Sequence, residues 1–319
     1  MPVSFESMNR LLVLAEDADK FTSLVKSRGL PQLEIVAARG LEDARTLIPG
    51  CNIVLGEPIL IGQSLDSVKR LEWVQSSWAG VDSLCRPGLR QDYILTGVKG
   101  VFGALISEYV MTYLFAIERK IFEVRDNQRQ KHWQPKSYRL AKDITLGIVG
   151  LGSIGKHLAR TAVGFGLHVT GLNRSGRACE NVEKVYTEEG IAEFLAAVDY
   201  LVLTLPDTAE TRHFMNAETL AMMKPSAVLI NVGRGGIINE EDLIIALQQE
   251  RIGSAVLDVF ETEPLPAESP LWALPNVYVT PHCAADSFPE DVVEIFVENY
   301  ARFVQGRPLL HIINFERGY

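Results

Sequence analysis

Short apolar runs alternate with amphipathic stretches along the whole chain. In its first third, stretches with helical spacing, such as residues 20–28 and 41–47, separate apolar runs that have the length of a β-strand. These runs lie at residues 11–15, 33–37, 52–55, 73–76 and 94–98. Alternation of this kind predicts an α/β fold, in which helices cover both faces of a parallel sheet.

A second and more regular series begins near residue 144. Its apolar runs, which predict a second parallel sheet, lie at residues 144–149, 168–172, 200–205, 227–232, 254–259 and 277–280. Beyond it, residues 291–303 predict an amphipathic helix that ends near Gly306. Between the two series, residues 105–133 contain no Pro or Gly and predict one long helix with a wide apolar stripe. This stripe belongs either to the core or to a subunit interface.

Composition narrows the classes of function. The chain has 319 residues, which suits two domains, and its 31 Lys and Arg against 40 Asp and Glu give a net charge of -9. That charge speaks against nucleic acid or an anionic membrane as a partner. The four cysteines are far apart and the six histidines lack metal-binding spacing, so we predict no metal. With neither a signal-peptide pattern nor a membrane-spanning stretch, we predict a soluble cytoplasmic protein.

The strongest local motif is the glycine pattern of Gly150, Gly152 and Gly155. A strand-like run at residues 145–149 precedes it, and a helical stretch at residues 156–163 follows it. Glycines at these positions allow a tight turn and let a pyrophosphate approach the backbone and the helix N-terminus. The pattern therefore predicts a dinucleotide site, the alternative being a structural turn in another kind of α/β protein.

The end of the next strand-like run indicates which dinucleotide binds. An acidic residue at this point usually binds the ribose 2′-hydroxyl of NAD. Here Asn173 and Arg174 stand instead, so a 2′-phosphate meets no carboxylate and could pair with a guanidinium. We therefore predict NADP as the cofactor, with NAD as the alternative in which Arg174 is an ordinary solvated side chain.

Several separated motifs connect the chain to a known family. Segments 231–236, 258–264 and 281–284, with 79–82, 107–108 and 205–211, resemble in order and spacing the D-isomer-specific 2-hydroxyacid dehydrogenases. The resemblance covers essentially the whole chain. Residues 133–135 (Trp-Gln-Pro) and 317–319 (Arg-Gly-Tyr) are most similar to the glyoxylate/hydroxypyruvate reductase-like branch.

Three side chains supply what reduction of a 2-keto acid requires. His282, with an ordinary pKa of about 6.5, can donate the proton, and Glu263 can orient the imidazole and favour its protonated form. Arg234 can bind the substrate carboxylate through its planar guanidinium. Each alone has a structural alternative, as a satisfied histidine, a solvated carboxylate or a loop cation. The resemblance implies the same catalytic roles for all three.

The resemblance also implies the remaining site residues, with Asp258 near the nicotinamide end of the cofactor. The predicted substrate-binding residues are Trp78, Ala79, Gly80, Val81 and Arg234, the amides of residues 79–81 holding the carboxylate. The predicted cofactor-binding residues are Gly150, Gly152, Ser153, Ile154, Gly155, Asn173, Arg174, Ser175, Leu205, Pro206, Thr211, Val232, Gly233, Arg234, Asp258, His282 and Ala284. Two positions depart from the commonest family pattern. Asn173 replaces an acidic residue, and Asp207 stands where many members have an apolar one.

The architecture that the resemblance implies is α/β, with two doubly wound parallel-sheet domains. A Rossmann cofactor domain of residues 101–288 is inserted into a flavodoxin-like substrate domain of residues 1–100 and 289–319, and the chain forms a homodimer. The expected function is hydride transfer between NADPH and a small 2-keto acid, such as glyoxylate or hydroxypyruvate, to give the D-2-hydroxy acid. One alternative is a formate dehydrogenase. These enzymes resemble the family but have Gln at the position of Glu263, so Glu263 speaks against this alternative. The other is a non-catalytic, dinucleotide-sensing interaction protein.

Overall fold

A computed structural model describes residues 8–86, 88–316 and 318. The chain divides into two compact units, one of Met1–Val101 with Ser287–Tyr319 and one of Phe102–Asp286. Each unit contains one parallel sheet, which confirms the predicted fold class. Of the terminal residues that resemble the reductase-like branch, Arg317 and Tyr319 lie outside the described residues.

The first unit, called here the five-stranded unit, has the strand order β2-β1-β3-β4-β5, which is the flavodoxin-like order. Its strands are β1 (Asn9–Leu14), β2 (Leu33–Ala38), β3 (Ile53–Gly56), β4 (Trp73–Ser76) and β5 (Ile94–Thr96). Its helices are α1 (Ala18–Ser27), α2 (Leu41–Leu47), α3 (Pro58–Gly62) and α10 (Pro289–Val304). In α10, Phe296 stacks on the buried Trp73 ring at 5.0 Å, so the returning C-terminal segment belongs to this unit's core.

The second unit, called here the seven-stranded unit, has the strand order β12-β11-β10-β9-β6-β7-β8. Its strands are β6 (Thr145–Val149), β7 (His168–Leu172), β8 (Lys184–Tyr186), β9 (Tyr200–Leu203), β10 (Val228–Asn231), β11 (Ser254–Leu257) and β12 (Val277–Val279). Its helices are α4 (Phe102–Glu118), α5 (Ile121–Arg129), α6 (Ser153–Gly164), α7 (Ile191–Ala197), α8 (Ala217–Ala221) and α9 (Glu240–Gln248). From β8 to β11 this is the Rossmann order, with β12 added at one edge.

The stretch predicted as one helix over residues 105–133 is two helices. Lys120 adopts φ 55°, a left-handed conformation that ends α4 and separates it from α5. The apolar stripe is buried in α4, at Ile106, Val110 and Leu114 among others, and is therefore core there. None of the nine residues of α5, all of them described, is buried.

Two further findings concern the described part of the chain. No helix within it combines the length and the apolar character that a membrane crossing requires. No three His, Cys, Asp or Glu side chains within it lie together as candidate metal ligands.

Candidate active site

The register of the seven-stranded sheet aligns the carboxyl ends of its central strands. Val149 at the end of β6 lies beside Leu172 of β7 and Leu203 of β9. Asn231 at the end of β10 lies beside Leu203 and Leu257. The segments predicted to bind the cofactor and to carry the reaction in this unit follow these strand ends, the edge at which open α/β sheets bind their ligands.

The glycine turn after β6 has the geometry that a pyrophosphate requires. Gly150 adopts φ 99°, and a Cβ there would lie 2.8 Å from the Thr204 hydroxyl. A Cβ at Gly155 would overlap the Gly150 carbonyl, so α6 packs directly on the turn. Gly152 has no described atom within 4 Å of its would-be Cβ, and no described side chain caps α6, which begins with Ser153 and Ile154. An anion can therefore reach the N-terminus of this helix.

The loop after β7 is built by Asn173. Its Oδ1 accepts hydrogen bonds from the amides of Ser175 (3.0 Å) and Gly176 (2.7 Å), and its Nδ2 donates to the Arg177 carbonyl (3.3 Å). The amide group expected to face the cofactor thus shapes the loop. Arg174, Ser175 and Arg177 are exposed on this loop, so these three side chains can meet a phosphate.

Arg174 already has a partner in the structure. Its Nη1 lies 2.9 Å from Oε2 of Glu210, and both side chains are 74% exposed. An exposed ion pair of this kind contributes little to stability, so an approaching phosphate can displace the carboxylate. This role of Glu210 was not predicted from the sequence, although the residue lies in a motif that resembles the family.

The loop after β9 is closed on itself and contacts the loop that carries Arg234. Thr211 Oγ1 donates to the Pro206 carbonyl at 2.6 Å. The Asp207 carboxylate lies 3.6 Å from the Arg212 guanidinium. A Cβ at Gly236 would overlap the Asp207 carboxylate. The departure at Asp207 is therefore matched by a glycine on the facing loop, and the acidic side chain lies beside the loop that carries Arg234.

The loop after β10 presents Arg234. Asn231, which is fully buried, accepts from the Gly233 amide (3.1 Å) and donates to the Arg234 carbonyl (2.9 Å). The Arg234 side chain is half-buried, and its Nη1 donates to the Gly233 carbonyl at 2.7 Å. A Cβ at Gly235 would overlap the Phe260 carbonyl, so this loop packs directly on the segment that leads to Glu263.

Leu205 and Val232 connect these turns. A Cβ at Gly233 would lie 2.7 Å from the Leu205 carbonyl, and one at Gly150 would lie 3.1 Å from the Leu205 side chain. The Val232 amide donates to the Leu203 carbonyl at 3.3 Å. The glycine turn, the loop after β9 and the Arg234 loop are therefore packed together as one surface.

Asp258 follows β11 and organises the segment that contains His282. Its buried carboxylate accepts from Thr280 Oγ1 (2.6 Å) and from the amides of Cys283 (2.9 Å) and Ala284 (3.0 Å). Its carbonyl accepts from the His282 amide at 2.9 Å. Asp258 therefore sets the backbone on both sides of the histidine, a role that the resemblance did not specify.

His282 and Glu263 form a hydrogen-bonded pair. His282 Nδ1 lies 2.8 Å from Glu263 Oε2, while Glu263 Oε1 accepts from the Phe260 amide at 3.0 Å. The carboxylate is thus fixed from both sides. Since Nδ1 is engaged and the His282 side chain is 53% exposed, Nε2 is the nitrogen that remains for a substrate.

The pair shifts both pKa values toward the charged forms. The hydrogen bond that His282 donates to Glu263 raises the pKa of His282, and it outweighs burial and the nearby Arg234 charge, which lower that pKa. Burial alone would raise the pKa of Glu263, but the hydrogen bonds from His282 and the Phe260 amide lower it. The imidazole is therefore adapted to hold a proton.

The predicted carboxylate-binding turn follows β4 in the five-stranded unit. Ser76 Oγ donates to the Trp78 carbonyl (2.8 Å) and accepts from the Trp78 amide (3.0 Å), which closes the turn. The amides of Ala79, Gly80 and Val81 donate to no residue that the structure describes. Trp78 is exposed and Val81 is buried in the core. The turn thus offers consecutive amide donors to an anion.

Comparison with known proteins decides the family. A model for "D-isomer specific 2-hydroxyacid dehydrogenase, NAD binding domain" matches residues 111–284. Glyoxylate/hydroxypyruvate reductase A of Serratia proteamaculans (strain 568) is 34% identical over 214 residues, 67% of this chain and 68% of that protein. The chain belongs to the D-isomer specific 2-hydroxyacid dehydrogenase family.

Solved structures extend this likeness to both units. A D-isomer specific 2-hydroxyacid dehydrogenase family protein of Aeromonas salmonicida subsp. salmonicida A449 is 45% identical, with a TM-score of 0.94 over 97% of this chain and 100% of that one. An NADPH-dependent glyoxylate/hydroxypyruvate reductase of Sinorhizobium meliloti, in complex with NADP and sulfate, is 31% identical, with a TM-score of 0.86 over 98% and 100%. As a member of this 2-hydroxyacid dehydrogenase family, the chain is an NAD(P)-dependent oxidoreductase.

The side chains that position the predicted residues of this dehydrogenase were not predicted from the sequence. Thr204 donates to the Gly150 carbonyl at 2.7 Å, Asn231 holds the Arg234 loop, and Thr280 connects Asp258 to Tyr109. Asn231 and Thr280 stand within or directly beside the motifs that resemble the family, which was the only available signal for them.

Proposed function

We propose that this dehydrogenase reduces a small 2-keto acid, such as glyoxylate or hydroxypyruvate, to the D-2-hydroxy acid with NADPH. The observation that supports it most directly is the His282–Glu263 pair at 2.8 Å, located in the unit that also presents Arg234. The curated relative and the solved relative described above bear the name of this activity. In this proposal the seven-stranded unit is the cofactor domain and the five-stranded unit is the substrate domain.

The residues of the seven-stranded unit fit a dinucleotide. The open space above Gly152 and the uncapped start of α6 would receive the pyrophosphate, and the exposed Arg174, Ser175 and Arg177 would meet a 2′-phosphate. When bound, the reduced nicotinamide supplies the hydride.

The side chains of this chain supply the rest of the chemistry. His282 holds a proton on Nε2 and gives it to the keto oxygen as the alcohol forms. Glu263 stabilises the imidazolium before the transfer and keeps the neutral ring in the same orientation afterwards. Arg234 binds the carboxylate and polarises the neighbouring carbonyl. The amides of Ala79, Gly80 and Val81, which donate to no described residue, are proposed as further donors to the carboxylate.

The proposal is tested by steady-state turnover of short 2-keto acids with NADPH and with NADH. We expect activity with glyoxylate or hydroxypyruvate. With hydroxypyruvate, whose reduced product is chiral, we expect formation of the D-isomer, identified by chiral chromatography. If no 2-keto acid in the panel supports oxidation of either cofactor, while both cofactors bind, the proposal is wrong and the dinucleotide-sensing alternative is favoured. At present no observation favours that alternative.

Replacing Glu263 with Gln should change the pH dependence of keto-acid reduction. Glu263 raises the pKa of His282, so its loss lowers that pKa, and the imidazole loses its proton at a lower pH. The upper limb of the kcat/KM profile should therefore move to lower pH. Glu183→Gln is the matched control, because Glu183 pairs with the exposed His168 at 2.7 Å. A Glu263→Gln profile equal to wild type would show that Glu263 does not orient the catalytic histidine.

The homodimer is also a proposal, supported by apolar side chains that the chain leaves exposed. Trp133 is 99% exposed, and Ile121, Phe122 and Val124 of the unburied helix α5 are 53%, 38% and 44% exposed. We expect sedimentation velocity to give twice the mass of one chain, and Trp133→Ser to raise the dissociation constant of the dimer. The matched control is Trp272→Ser, at an exposed tryptophan elsewhere in the same unit. A wild-type monomer would contradict the proposal. The cytoplasmic location remains a prediction.

A further inference from the structure

A chain of hydrogen bonds connects helix α4 to the segment that carries His282. The Tyr109 hydroxyl lies 2.7 Å from Thr280 Oγ1, and Thr280 Oγ1 lies 2.6 Å from Asp258 Oδ1. Asp258 is 3% exposed, and Tyr109 and Thr280 are half-buried. All three residues belong to the seven-stranded unit.

The donor and the acceptor of each of these hydrogen bonds follow from the carboxylate of Asp258 at one end. A carboxylate only accepts hydrogen bonds, so Thr280 donates its proton to Asp258. Thr280 Oγ1 must then accept from Tyr109, which donates. The tyrosine hydroxyl therefore fixes the Thr280 hydroxyl in the rotation that serves Asp258, and chains of this kind strengthen each member bond.

Asp258 needs that bond because it holds a strained backbone. His282 adopts φ 51°, a left-handed conformation that is costly for a residue with a side chain. Its amide donates to the carbonyls of Asp258 (2.9 Å) and Thr280 (3.1 Å), while the Asp258 carboxylate accepts from the amides of Cys283 and Ala284. The imidazole points at Glu263 only while this backbone is held.

We propose that Tyr109 is a positioning residue for the proton donor, acting on His282 through Thr280 and Asp258. The proposal rests on the proposed function for its kinetic consequence, although its geometry does not. Nothing in the resemblance assigns Tyr109 a role.

Few charged or titratable groups among the described residues surround His282 and Tyr109, the two ends of this hydrogen-bond chain. Glu263, Arg234 and Asp258 act on His282, and their balance raises its pKa, with the Glu263 hydrogen bond as the largest contribution. At the other end, Asp258, Tyr113 and Cys283 lie near Tyr109, whose pKa is raised chiefly by burial. Tyr109 therefore stays a neutral donor over the whole working pH range.

Tyr109→Phe compared with Tyr113→Phe is the central test. Tyr113 lies one turn further along α4 with its ring 4.9 Å from that of Tyr109, and its hydroxyl has no hydrogen-bond partner among the described residues. We expect Tyr109→Phe to lower kcat by about 2- to 12-fold, the range of one neutral hydrogen bond, with little change in the KM for NADPH. Tyr113→Phe should change kcat by less than about twofold. Equal effects of the two variants would overturn the proposal.

Substitutions at Thr280 test whether the residues act as one chain. Thr280→Val removes both hydrogen bonds and should lower kcat more than Tyr109→Phe does, whereas Thr280→Ser keeps the hydroxyl and should restore most of the activity. Adding Tyr109→Phe to Thr280→Val should cause no further loss, because the tyrosine then has nothing to orient. Additive losses would overturn the proposal. Thermal unfolding of each variant identifies any that fails to fold, and in that case the two tyrosine variants still decide.

A measurement without turnover separates this inference from the proposed function. The imidazole signal of His282 in the nuclear magnetic resonance spectrum, assigned by its loss in His282→Asn, reports the pKa of that residue in the protein alone. We expect the pKa to fall in Tyr109→Phe and to stay unchanged in Tyr113→Phe, since a looser backbone weakens the bond to Glu263. An unchanged pKa in both variants contradicts the positioning role. An inactive wild type with the expected pKa shift would contradict only the proposed function.

Discussion

Replacing His282 with Asn should lower kcat for keto-acid reduction by about 10²–10⁴-fold, the usual contribution of a general acid. Asn is close to His in size and keeps an amide that can still approach Glu263, but it has no proton to give at neutral pH. Asn also tolerates the φ of 51° found at this position better than most residues, so the backbone that Asp258 holds should persist. The loss should therefore appear in kcat and leave the binding of NADPH nearly unchanged.

The control for this prediction is His168→Asn. His168 forms a similar pair with Glu183, at 2.7 Å against 2.8 Å for His282 and Glu263, and both histidines are about half exposed. The pairs differ in position, because His168 begins β7 and lies away from the carboxyl edge of the sheet, and in the carboxylate, because Glu183 is 58% exposed and Glu263 37%. A His282→Asn enzyme that retains more than about a third of wild-type kcat would contradict the catalytic role.

Most strands of the two sheets were predictable because they are buried on both faces. Parallel strands covered by helices become continuous apolar runs, and β3, β4 and β9 are buried at every position. The apolar pattern did not predict β8, which has three residues, begins with the exposed Lys184 and buries Tyr186 alone. Such a segment carries too few apolar positions to differ from a loop.

The break between α4 and α5 was not predictable from residue types. Arg119 and Lys120 are good helix formers, and neither Gly nor Pro marks the position. The left-handed conformation of Lys120 is imposed by packing, because α4 is buried while α5 leaves the core. Helix propensity therefore predicted one long helix, whereas tertiary packing produces two helices.

The candidate site shows a similar division. The family motifs locate His282, Glu263 and Arg234, and the structure brings the first two into contact. The motifs do not indicate which hydrogen bonds and ion pairs a side chain forms. Asn173 was expected to bind the cofactor, and its amide also closes its own loop, while Glu210 reaches Arg174 from a loop 36 residues further along the chain. Such pairings depend on the folded arrangement of exposed loops.

The preference for NADPH over NADH rests on that loop. We expect kcat/KM to be about 10- to 150-fold higher with NADPH, because a charge-assisted hydrogen bond to the 2′-phosphate is worth about 1.5–3 kcal/mol. Arg174 must exchange Glu210 for the phosphate, and the two exposed side chains lose little by separating. The Asn173→Asp, Arg174→Ala double variant should reverse the preference toward NADH. Asp at position 173 keeps the oxygen that accepts from Ser175 and Gly176 and loses the donation to the Arg177 carbonyl, so two of the three bonds persist while the loop gains a negative charge beside the phosphate.

The Glu210→Gln variant tests whether Arg174 contacts the 2′-phosphate directly or whether substitutions merely change the conformation of the loop after β7. It removes the carboxylate that competes for Arg174, so the preference for NADPH should rise in this variant while it reverses in the double variant. Added salt should weaken NADPH binding more than NADH binding, since the contact is at the surface and is screened. Both preferences are measured as ratios of kcat/KM at fixed ionic strength. A wild type that uses NADH equally well, or a Glu210→Gln variant with a reduced preference for NADPH, would show that Arg174 does not bind the 2′-phosphate.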